Sequence, residues 1–127
     1  MDQGANAGRA GLIRSYVTAR AEAHPLVAAF WQAVEEDFTE TRTVGDYVRR
    51  LGTSRWALDS VVRQATGRTP KAHVDARVIS EAKHLLLHSS VPAASIAAHL
   101  GFTDRATFGR FFRSRTGITP AAFRAAP

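Results

Sequence analysis

The sequence predicts an all-α fold of about seven helices, built around two helix-turn-helix units. Three observations predict it. No stretch alternates apolar and polar residues with a period of two, so β-strands have no signal. Apolar residues instead recur at i, i+3 and i+4 between glycine and proline breaks, the spacing of a helix face. The third observation is an internal repeat. Val62-Arg63 through Thr66-Gly67-x-Thr69-Pro70-x-Ala72 returns, fifty residues later, as Phe112-Arg113 through Thr116-Gly117-x-Thr119-Pro120-x-Ala122. Upstream, Leu51-Gly52 matches Leu100-Gly101 at a shift of 49, so the second turn is one residue longer than the first. Two copies are too few for a solenoid, which leaves a tandem pair of helix-turn-helix units or a helical globule whose repeats are accidental.

In order, Met1–Ala10 is polar and glycine-rich and reads as disordered, and Leu12–Ala23 as a linker helix with Leu12, Ile13, Tyr16 and Val17 on one side. Residues 1–24 are thus an N-terminal extension and 25–127 the helical domain. Pro25, suited to a first helical turn, opens Leu26–Phe38, where Leu26, Val27, Phe30, Val34 and Phe38 recur at helical spacing and Trp31 joins them. Glu35, Glu36, Asp37 and Glu40 read as a solvated acidic end. Val44–Leu51 is a short helix with Val44, Tyr47, Val48 and Leu51 inward, Thr43 at its N-cap and Gly52 ending it. Ser54 caps Arg55–Ala65, whose inner face is Leu58, Val61 and Val62. A longer helix, Lys71–His88, buries Val74, Val78, Ala82, Leu85 and Leu86, and Pro92 suits the first turn of the next element. The short helix ending at Leu100 is closed by Gly101. Asp104 caps the helix that follows, which turns Phe108, Phe111 and Phe112 to one side and Arg105, Arg110 and Arg113 to others. Pro120–Arg124 then tucks Phe123 into the core.

The first helix-turn-helix unit therefore spans about 44–65, the linker helix about 71–88 and the second unit about 93–115. A linker helix of about 18 residues is roughly 27 Å long. Successive major-groove faces of B-DNA lie about 34 Å apart. One chain with this spacing can read two adjacent groove segments without a palindromic site.

Charge points the same way. The net charge is +6, placed unevenly. Residues 1–41 hold three arginines against six acids, a net of −3, while residues 42–127 hold fourteen basic residues against five acids, a net of +9. A domain of that charge attracts polyanions, nucleic acid first among them. Only Lys71 and Lys83 of the basic residues are lysine. Arginine suits bidentate contacts to guanine and phosphate, and a genome biased toward arginine is the competing explanation. The absence of cysteine excludes disulfides and thiolate metal sites and suits a reducing cytoplasm. No apolar run approaches the ~18 residues of a membrane span, and the N-terminus has no apolar stretch of the secretory kind.

Residues 42–125 resemble the DNA-binding domain of AraC/XylS-type bacterial transcription regulators. The matching segments are Val44–Leu51 with Gly52-Thr53-Ser54, the first Thr-Gly-x-Thr-Pro, Arg77-Val78-Ile79-Ser80-Glu81-Ala82-Lys83-His84-Leu85-Leu86, Ile96–Phe102, and Phe108–Arg113 through Gly117–Arg124. The resemblance implies seven helices, an asymmetric double-stranded DNA site, RNA polymerase as a partner of an activator, and the bacterial cytoplasm, nucleoid-associated when bound. It also implies contacts. On the second recognition helix Arg105, Ala106, Thr107, Gly109 and Arg110 take groove-facing positions, with Arg110 first and Arg105 second as guanine or phosphate contacts and Arg113 on backbone phosphate. On the first, Arg55, Trp56, Asp59, Ser60 and Arg63 face outward. Trp56 either stacks on a sugar or thymine methyl or is partly buried against the preceding helix. Asp59 and Ser60 depart from the arginine or glutamine common near these positions. Asp59 repels phosphate, although it can accept from cytosine N4. The helix starts near Ser54 and Asp104 offer backbone N–H groups to phosphates. Many relatives carry a sensor or dimerisation domain ahead of this region, so the chain is either a stand-alone regulator or a piece of a longer one.

Other functions have weaker support. A small adaptor that docks a protein through acidic N-terminal helices, with secondary DNA affinity, is the alternative. No phosphate loop, nucleophile elbow or paired-carboxylate pattern marks an enzyme, and no cofactor is implied. His84 and His88 share i, i+4 spacing, but no third ligand lies suitably near for zinc.

Overall fold

The Thr-Gly-x-Thr-Pro repeat has one physical explanation in both places. In each, the first threonine hydroxyl donates to the carbonyl four residues back, Thr66 to Val62 at 2.8 Å and Thr116 to Phe112 at 2.8 Å. The glycine then takes a left-handed backbone that ends the helix, with φ 76° at Gly67 and 85° at Gly117. The second threonine caps the next helix, accepting from Ala72 N–H at 3.0 Å through Thr69 and from Ala122 N–H at 3.1 Å through Thr119. Proline opens that helix, where its missing N–H costs nothing. A helix stop and a helix start are thus written in five residues, twice.

A computed structural model describes residues 24–127. The expected disordered start and the helix Leu12–Ala23 lie outside the described residues. Among the described residues there are seven helices and no strand: α1 Pro25–Asp37, α2 Val44–Leu51, α3 Arg55–Thr66, α4 Pro70–His88, α5 Ala93–His99, α6 Arg105–Thr116 and α7 Pro120–Ala125. The all-α reading is correct, with helix ends within a residue or two of those expected. None of these helices is long and apolar enough to cross a membrane.

The chain divides into two compact units. The first comprises Met1–Ala33, so far as described, and Thr43–Ala72. It holds most of α1, then α2, α3 and the first residues of α4. Its buried apolar residues are Val27, Phe30, Ala33, Val44, Tyr47, Leu58 and Val62. Phe30 meets Tyr47 edge to face, centroids 5.9 Å apart. Val48, Leu51 and Val61, expected inward, are half-buried at the margin. Thr43 stands at the N-cap of α2 with an extended backbone but makes no side-chain cap bond. Gly52, at φ 62°, lets its own N–H reach Arg49 O and the Thr53 N–H reach Val48 O, closing α2 with a Schellman motif.

The second unit comprises Val34–Arg42 and His73–Pro127. Its core is Val34, Phe38, Val74, Val78, Ala82, Leu86, Ile96, Ala97, Leu100, Phe102, Phe108 and Phe112. Four phenylalanines run through it as a chain of tilted rings, Phe102 to Phe108 at 5.3 Å, Phe108 to Phe112 at 5.9 Å and Phe112 to the half-buried Phe123 at 5.6 Å. Here the turn between α5 and α6 differs from its counterpart by more than one inserted residue. Leu100 leaves the helix, whereas Leu51 ends α2 inside it. Gly101 then takes φ 85°, and a Cβ on it would lie 2.6 Å from the Thr39 carbonyl oxygen. Both backbone handedness and space therefore demand glycine at this turn.

Several basic residues hold the second unit together. Arg77 forks onto Glu35, Nε and Nη2 each 2.9 Å from a carboxylate oxygen, reaches Glu81 at 3.3 Å and lies 4.1 Å over the Phe38 ring. Glu35 is therefore an ion-pair partner, a correction to its reading as part of a solvated acidic end. The hydrogen bonds from Arg77 hold the Glu35 carboxyl below the usual carboxylate range, and the same bonds raise Arg77. Arg115 donates to the buried Asp75 at 2.6 Å. Arg42 stacks 3.7 Å over Phe102, and burial lowers its pKa while the Asp75 charge opposes that shift. Arg124 donates to the carbonyls of Leu86, Leu85 and Ser89, closing the C-terminal end of α4.

Candidate nucleic-acid interface

The second recognition helix, α6, starts where Asp104 accepts the Thr107 N–H at 2.7 Å. That backbone bond, then the Thr107 side chain, hold the Asp104 carboxyl below its ordinary range, and the Arg110 charge adds to the effect. A folded-state anion thus sits at the positive end of the helix dipole. Burial of Phe108 and Phe112 fixes which side of α6 faces in. The outer side presents Arg105, Ala106, Gly109, Arg110 and Arg113, which line one concavity of about 500 Å³ with Ala93 from α5 and Thr119, Pro120 and Ala121 from α7. Arg105, Ala106, Arg110 and Arg113 are exposed. Thr107 is half-buried beside this group, its hydroxyl 3.3 Å from Arg110 Nη2.

The first recognition helix, α3, is built on the same plan. Ser54 caps it by accepting the Ala57 N–H at 3.0 Å, and Leu58 and Val62 are buried. Arg55, Asp59 and Arg63 come together in a smaller concavity of about 230 Å³, completed by Val44, Thr69, Pro70 and Lys71. Asp59 accepts from Arg63 Nε at 2.8 Å, so an ion pair occupies the middle of this surface. Ser60 and Trp56 lie on α3 outside the concavity. Trp56 is 79% exposed, which overturns its partial burial against the preceding helix and leaves a large aromatic face open to solvent.

Sequence reasoning missed the α4 and α7 starts as parts of these two surfaces. Thr69-Pro70-Lys71 and Thr119-Pro120-Ala121 read as helix punctuation, yet each lines the concavity beside its recognition helix. The repeat itself is the available signal, since both copies place Thr-Pro at the same step from the recognition helix. His84 and His88 lie with ring centroids 5.0 Å apart and planes tilted by 47° on α4, both exposed.

Residues 47–126 match the Helix-turn-helix domain family. The HTH-type transcriptional activator RhaR of Cronobacter sakazakii is 39% identical over 67 residues, 53% of this chain and 24% of that protein. The chain therefore spans about a quarter of the length of that relative. The crystal structure of the DNA-binding domain of AdpA, a global transcriptional factor in complex with a target DNA, superposes with a TM-score of 0.68 at 29% identity, covering 80% of this chain and 90% of the other. A Chromobacterium violaceum transcriptional regulator described as an AraC-type DNA-binding domain-containing protein shares the fold, with a TM-score of 0.70 at 24% identity over 84% of this chain and 98% of its own. With the family match covering more than half of its residues, the chain belongs to the AraC-type family of helix-turn-helix DNA-binding domains.

Proposed function

We propose that this chain binds double-stranded DNA in a sequence-specific manner as part of a bacterial transcription activator, with α3 and α6 each entering the major groove. The observation that carries the reading is the duplicated surface: two capped helices, each with its apolar side buried and arginines on the other, each beside a Thr-Pro helix start. The AdpA domain, of the same fold, is solved on its target DNA. In this reading Arg110 contacts guanine, Arg105 reads a base or phosphate, and Ala106 accepts the close approach of a thymine methyl. Arg113 meets a backbone phosphate. Trp56 stacks on a sugar or a thymine methyl at the first site. RNA polymerase is the further partner of such an activator, which works in the bacterial cytoplasm.

The test is the salt dependence of duplex binding. Several phosphate contacts give a loss of affinity of about 0.9 log units per contact per log unit of salt. A slope near zero refutes the reading and favours the adaptor alternative.

A further inference from the structure

The two recognition helices can be compared position by position, because the repeat aligns them at a shift of fifty. One stripe stands out. In α6 it is Arg105, Gly109 and Arg113, and in α3 it is Arg55, Asp59 and Arg63. Steps of four residues keep each trio on one side of its helix, with about 6 Å of rise per step. The outer arginines are common to both. The middle residue is an acid in one unit and a glycine in the other.

Gly109 has no structural reason to be glycine. Its φ is not positive, unlike that of Gly101 or Gly117. A Cβ on it would meet nothing within 4 Å, so no neighbouring element approaches it. It lies inside a helix, where glycine is among the poorest formers. Glycine there leaves open space on the outer side of α6 that a longer side chain would occupy. The surface around Gly109 is concave and larger than its counterpart, about 500 against 230 Å³. Arg105 and Arg113 have no ion-pair partner among the described residues, whereas Arg63 is held by Asp59 at 2.8 Å.

We propose that Arg105, Gly109 and Arg113 form a seat for one phosphodiester of duplex DNA, and that Asp59 fills the equivalent place in the first unit with an internal carboxylate. Two guanidiniums flank the seat, and the missing side chain leaves room for the phosphate oxygens between them. In α3 the carboxylate takes that position, ties up Arg63 and cancels one of the two positive charges. The second unit therefore takes a backbone phosphate there and the first does not. This rests on the DNA-binding reading and adds to it a division of labour between two copies of one motif.

The experiment fills one seat and empties the other. Binding of the full chain to a random-sequence 30-base-pair duplex is followed by fluorescence anisotropy between about 25 and 200 mM salt, for wild type, Gly109→Asn, Gly109→Asp and Asp59→Gly. Asparagine and aspartate both fill the seat between Arg105 and Arg113. Each Gly109 variant is expected to lower the salt slope by about 0.9 relative to wild type, as one phosphate is no longer neutralised. Asp59→Gly is expected to raise it by about 0.9 relative to wild type, as the first seat opens. A Gly109→Asn slope equal to that of wild type, or an unchanged slope for Asp59→Gly, overturns the proposal while leaving DNA binding intact. A wild-type slope near zero removes the DNA-binding reading itself.

Discussion

Replacing Gly101 by alanine tests the structure where it is most constrained. Two costs add. An L-residue held in the left-handed region costs roughly 1–2 kcal/mol. The new methyl group would also lie 2.6 Å from the Thr39 carbonyl oxygen, so the turn or the Val34–Arg42 segment must shift by several tenths of an ångström. Overpacking of this kind costs about 1–3 kcal/mol. The expected loss is therefore about 2–5 kcal/mol. Gly52→Ala isolates the first cost, because Gly52 is also left-handed, at φ 62°, but a methyl group there would meet nothing within 4 Å. Its expected loss is about 1–2 kcal/mol. Gly109→Ala completes the series: backbone and space both accept alanine, and helix propensity predicts a gain of up to about 1 kcal/mol. Circular dichroism during urea unfolding measures all three. The order predicted is Gly109→Ala most stable, then wild type, Gly52→Ala and Gly101→Ala. A Gly101→Ala variant no worse than Gly52→Ala refutes the steric argument at Thr39.

Three further outcomes are expected. Arg110→Ala weakens binding to the cognate duplex by about 1–3 kcal/mol and leaves random-sequence binding nearly unchanged, measured by anisotropy on both duplexes; equal losses on the two make Arg110 a phosphate contact. The Glu35 carboxyl, with its pKa lowered by Arg77, contributes stability above its ordinary value of 4.5 that is lost as pH falls through the lower folded value. Because the pair is largely exposed on the glutamate side, the effect stays below about 1 kcal/mol, and wild type loses more stability than Glu35→Gln between pH 5 and 3 in acid titrations of unfolding. Arg124→Ala strips the donor from three carbonyls at the end of α4 and costs about 1–2 kcal/mol in the same unfolding assay.

Local features are legible in the sequence. Proline and glycine breaks, threonine and aspartate caps, and apolar residues at helical spacing set the seven helices of the described residues, and the repeat locates both recognition helices. What sequence cannot sort is the arginines. Arg77 pairs with a residue 42 positions away and Arg115 with one 40 away. No periodicity reports such pairs, so charge counting places Arg42, Arg77, Arg115 and Arg124 with the polyanion-binding residues, whereas they brace the second unit. Glu35 escapes a sequence reading for the same reason. Trp56 is the converse: it lies about 200° round α3 from the buried Leu58, so helical spacing alone points it outward, and it is exposed. The role of Thr69-Pro70 and Thr119-Pro120 in lining the two surfaces also needs three dimensions, since each belongs to the helix after the one it flanks.

Whether both units read DNA, the second more strongly, is tested most directly by selecting bound sequences from a random duplex pool. Two preferred segments about one helical turn apart, with the sharper preference under α6 and altered by Arg110→Ala, are the predicted result. A single preferred half-site that Arg110→Ala leaves unchanged, or no enriched sequence at all, would contradict it.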